Sequence, residues 1–72
     1  MAIGDAERVI GDKVEELLAL RADLVRNIDD LADDAMSAVD WVQVGVLENQ
    51  LGDLDRILAR WQRAHERAKA AA

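Results

Sequence analysis

The residues able to do chemistry are few in these 72, and their spacing rules out most of it. His65 is the single histidine, and Gln62 stands three positions before it, where a helical di-metal site needs glutamate. Ser37 is the single hydroxyl side chain and lies a helix length from that histidine, so no nucleophile and base can meet. There is no cysteine, which excludes disulfides, thiolate catalysis and cysteine-ligated zinc. The carboxylates Asp29, Asp30, Asp33 and Asp34, with Glu15 and Glu16 farther back, match no calcium loop. The four glycines do not cluster, so no phosphate-cradling loop exists. Catalysis, metal binding and cofactor binding are therefore not expected.

What remains is the chemistry of association. Between Arg26 and Arg56 there is no basic residue, while Asp29, Asp30, Asp33, Asp34, Asp40, Glu48, Asp53 and Asp55 make that stretch strongly acidic. The last segment is the opposite: Arg56, Arg60, Arg63, Arg67 and Lys69 face only Glu66. Net charge is −6, which opposes binding to phosphate backbones and anionic membranes. The strip Arg56, Arg60, Arg63, Arg67, spaced 4,3,4, is the one feature able to touch nucleic acid, and it lacks a stacking aromatic apart from Trp61.

These groups need helices to hold them. Ala, Leu, Arg, Asp and Glu dominate, and Pro, Phe and Tyr are absent. From Ile10 apolar residues recur at 3,4 spacing through Val14, Leu17, Leu24, Ile28, Leu31 and Ala35, with Arg21 interrupting the seam. A second series, Val44, Leu47, Leu51, Leu54, Leu58, Trp61, His65 and Ala68, fills every seam position for four heptads. Continuing the first series past Ala35 puts Gly45 at a core position, so the registers do not join. Ser37 followed by Asp40 has the form of a capping box.

The fold class is therefore all-α, an antiparallel two-helix hairpin spanning 1–72 as one domain. Helices are expected over about 5–36 and 41–69, with a bend at 36–41. One long bent helix, or a short strand at Val42 to Val46, are the alternatives. Folded back, residue i lies opposite residue 76 minus i, which brings Arg60 and Arg63 toward Asp12, Glu15 and Glu16 and closes the open end with ion pairs. The oligomer seam is Leu17, Leu24, Ile28, Leu31, Leu47, Leu51, Leu54, Leu58 and Trp61.

A hairpin of this size buries one seam and leaves its flanks wet, so it is expected to complete a four-helix bundle, as a dimer first, or to lean on a larger partner. A bundle would cover Leu18, Leu20, Val25 and Ile57. The docking residues are expected at the bend: Trp41, Val42 and Val46, the acids Asp29, Asp30, Asp33 and Asp34, and the side-chain-free ridge of Gly45 and Gly52.

The functional expectation is a non-catalytic adaptor, assembly chaperone or inhibitor that presents its acidic, Trp-bearing bend to another protein. The alternatives are a structural subunit of a large assembly such as a phage virion, and a small nucleic-acid regulator using the Arg strip. Seven Arg against two Lys hints at a GC-rich bacterial or phage genome. With no apolar run of ~18 residues and no signal-like start, the expected location is the cytoplasm or a virion. A helical hairpin with a tryptophan at its bend resembles in outline the small secreted WXG-type proteins of actinobacteria. This bend reads Trp41-Val42-Gln43-Val44-Gly45 in place of Trp-x-Gly, and the shorter chain has no tyrosine for their tail signal, so no family is assigned.

Overall fold

Two helices account for nearly all of the chain in the computed structural model, which describes residues 3–71 and the side chains of 5–71. Helix α1 runs Ile3–Asp34 and helix α2 runs Ala38–Ala71, packed antiparallel as an all-α hairpin of 53 × 16 × 15 Å. Neither helix is long and apolar enough to cross a membrane.

Both seams face inward. Leu17 and Ile28 of α1 and Val44 and Leu58 of α2 are buried, Leu17 and Val44 with only 4% of their surface exposed. Leu24, Leu31, Leu47, Leu51, Leu54 and Trp61 are half-buried along the same interface. Two contacts fix the register. The Arg21 Nε–H donates to Asp55 Oδ1 at 2.6 Å, and the backbone of Gly11 passes so close to His65 that an added Cβ would lie 3.2 Å from its Nε2. Both pairs satisfy the relation expected from the heptads. Arg21 thus interrupts the apolar line without breaking the seam, because its guanidinium reaches a carboxylate on the other helix.

The bend is shorter than the sequence indicated. It occupies 35–37 instead of 36–41, α1 starts at Ile3 and ends at Asp34, and α2 begins at Ala38. Val42 to Val46 are helical, which removes the strand alternative. The physical reason is the cap. The Asp40 N–H donates to Ser37 Oγ at 3.2 Å, while Asp40 Oδ2 accepts from the backbone N–H groups of Met36 and Ser37 at 3.1 and 3.3 Å. This reciprocal capping box satisfies donors that the first turn of α2 would otherwise leave open. It lets α2 start at the residue after Ser37. On the other side, the Ala35 N–H closes a short turn onto the Ala32 carbonyl at 3.3 Å.

The ion pairs expected at the open end do not form among the described residues. Arg60 and Arg63 lie between the seam positions Leu58, Trp61 and His65 and point outward, and Glu16 is taken by Lys13 one turn earlier on its own helix, at 3.7 Å. Arg8–Asp5, Arg26–Asp23 and Arg56–Asp53 likewise pair within their helices.

Candidate interaction surface

The surface at the bend is built from the first three turns of α2. Residues three and four apart are neighbours on a helix, so Ala38, Trp41, Val42, Gly45 and Val46 form one continuous patch, extended by Val39 beside Val42. Trp41 is 55% exposed and Val42 66%, and Val39, Val46 and the bend residue Met36 are exposed with them. Trp41 therefore does not fold over the end of α1. Among the described residues, a Cβ at Gly45 or Gly52 would meet nothing outside its own helix within 4 Å. The hairpin packing gives no reason for either glycine, though each lowers helix stability by ~1 kcal/mol relative to alanine.

The acids of the bend belong to α1 and surround its C-terminal turns. Asp29, Asp30, Asp33 and Asp34 are all exposed, and the last turn of α1 contains no basic residue to offset the negative end of its dipole. Val42 and Val46 point away from α1, and the acids point away from α2. The apolar patch and most of the acidic cluster thus share one end of the molecule but occupy outward sides of different helices.

Arg21–Asp55 and Gly11–His65 mark one flank of the hairpin. Stepping by sevens from Gly11 places Leu18, Val25 and Ala32 on it, and stepping back from Asp55 places Glu48 and Trp41 there. Leu20 and Ile57, both exposed, belong to the opposite flank. Two residues along a helix turn by about 200°, so Leu18 and Leu20 cannot be covered by one partner laid on one flank. A simple pair of stacked hairpins would hide Leu18 and Val25, or Leu20 and Ile57, but not all four.

The electrostatics follow from hydrogen bonds at two places. The Asp40 carboxyl is held below the usual aspartate range because it accepts from the backbone N–H of Met36 and then of Ser37, with the Ser37 hydroxyl adding a third partner. The Arg21 guanidinium is held still higher than usual by its bond to Asp55 and by that carboxylate's charge. Arg60, Arg63 and Arg67 make no ion pair among the described residues.

His65 is half-buried at the open end, where a cavity of about 410 Å³ is lined also by Glu7, Arg8, Gly11, Asp12 and Glu15. Among the described residues no three His, Asp or Glu side chains stand close enough to hold a metal ion. Sequence reading singled out Trp41, Val42 and Val46 but missed that Val39, Val42 and Val46 begin a line leading to Arg56, Arg60, Arg63 and Arg67. The uninterrupted 3,4 spacing through Asn49 and Asp53 was the available signal.

Comparison of the chain with protein-family models, curated proteins and solved structures returned no match.

Proposed function

We propose that this protein is a non-catalytic interaction module that works by docking the bend end of its hairpin onto another protein surface. The observation that carries this reading is the exposed cluster of Val39, Trp41, Val42 and Val46 at the start of α2. A helix in water gains nothing from such a cluster. Burying it in a partner releases ~25 cal/mol per Å² before the costs of association, and a tryptophan among aliphatic neighbours is a frequent anchor of protein interfaces.

The acids that end α1 give the surface its selectivity. Eight carboxylates between Asp29 and Asp55 with no base among them favour a partner carrying arginine or lysine around an apolar contact. Adaptors, assembly chaperones and small inhibitors share this mode of action.

The test uses the tagged full-length protein as bait in an extract of its source cell, read by quantitative mass spectrometry, beside Trp41→Ala and Asp33→Lys baits. A specific partner should be retained by the wild type and lost from both variants. Equal retention by all three baits would remove the bend end as the docking site.

A further inference from the structure

Helix α2 changes sign at its centre. From Ala38 to Asp55 it carries Asp40, Glu48, Asp53 and Asp55 and no base, and from Arg56 onward it carries Arg56, Arg60, Arg63, Arg67 and Lys69 against the single acid Glu66. The halves are thus −4 and +4 (five bases less one acid). Such a helix is complementary to its own copy running in the opposite direction and repelled by one running in the same direction.

The apolar residues obey the same symmetry. The outward line of α2 is apolar at Val39, Val42 and Val46 and basic at Arg60, Arg63 and Arg67, all of them exposed. A two-fold axis between Gly52 and Asp53 sets Arg63 of a second copy opposite Val42 and brings Arg67 and Arg60 within one residue of Val39 and Val46. Arginine stems are aliphatic and cover apolar surface while their guanidinium groups reach past it. Here those groups end in the acidic half of the neighbouring helix. Gly52 lies next to the axis, within one residue of its own copy, and Gly45 comes within one residue of Ala59. Among the described residues nothing beyond its own helix stands within 4 Å of the Cβ position at either glycine, so their missing side chains leave room for a neighbouring backbone.

We infer that the outer face of α2 is covered by a second copy of this chain, docked antiparallel with α2 against α2. The inference rests on the docking reading above and names its occupant. The arrangement is isologous, so the same contact occurs twice and closes on itself, giving a dimer and not a filament. It also leaves Leu20 and Ile57 uncovered, which separates it from two hairpins stacked on that flank.

Sedimentation of the full-length protein and of two charge-swapped chains tests this. Arg60→Glu with Arg63→Glu adds acids to the half that meets the neighbour's acidic half, and Glu48→Arg with Asp53→Arg adds bases to the half that meets its basic half. Each swapped chain alone should show a dimer dissociation constant raised at least about tenfold. Mixed together, the two should form a one-to-one heterodimer at near wild-type affinity, because each altered half then meets its complement. Gly52→Cys should crosslink to itself across the axis under mild oxidation.

The altered side chains are exposed, and helicity measured by circular dichroism confirms that each swapped chain still folds. A wild-type chain that sediments as a monomer at every concentration overturns the inference, while the docking reading stands or falls separately on the Trp41→Ala bait. A dimer that tolerates both swaps and gives no Gly52→Cys crosslink overturns it equally, and shows that another face is used.

Discussion

The inner and outer faces of α2 follow the same 3,4 spacing and meet opposite fates. The inner line, Val44 through Leu58 and Trp61 to Ala68, is apolar apart from His65 and is covered by α1. The outer line starts with Val39, Val42 and Val46, all exposed, and ends in Arg60, Arg63 and Arg67, which bind no acid among the described residues. The inner face is what makes the hairpin. The outer face takes no part in that packing.

That contrast can be broken in four places. Leu58→Ala should have the largest effect, because removing a buried leucine costs ~2–5 kcal/mol and a two-helix chain has little stability to spare. Loss of helical circular dichroism at room temperature is the expected result, and a chain that stays folded would show that the inner face is not the main support. Ser37→Ala should cost ~1 kcal/mol, the usual worth of an N-cap, measured as a lower denaturation midpoint.

Asp40 adds a pH dependence to the same cap. Its folded pKa lies below the unfolded one, so its contribution is complete above the ordinary aspartate value and is lost as pH falls through the lowered folded value. Acid titration of helicity should therefore flatten in Asp40→Asn. On the outer side the sign reverses. Gly45→Ala and Gly52→Ala should each stabilise the hairpin by up to ~1 kcal/mol, measured at concentrations low enough to exclude association. Val42→Asn should move stability by no more than ~0.5 kcal/mol, although the same change in Val44 would be severe. A loss of more than that at Val42 would mean the outer valines support the fold after all.

The hairpin was legible because its signals are local and redundant. Two heptad series that fail to join demand a turn, and Ser37 with Asp40 marks where the second helix begins. The boundary came out late because Val39 and Trp41 read as part of a loop, whereas the cap allows helix from Ala38. Arg21 shows a different limit: a charged residue at a seam position reads as a fault until the opposite helix supplies Asp55. The surface was legible in its members and not in its layout. Trp41, Val42 and the Asp29 to Asp34 run are conspicuous in the sequence, but which side of the bend each faces depends on the angle at which α2 leaves the cap. The expected bonds from Arg60 and Arg63 to Asp12, Glu15 and Glu16 failed for a related reason, since proximity along the hairpin says nothing about direction around the helix.

The turn at 35–37 contains no proline, no glycine and no left-handed residue. Only two side chains, a hydroxyl and a carboxylate, interrupt the spiral there. Take both away and the apolar seam alone opposes a continuous helix, which would be a rod of about 100 Å, nearly twice the present 53 Å. The reach of this protein is set by that seam together with a handful of atoms at its midpoint.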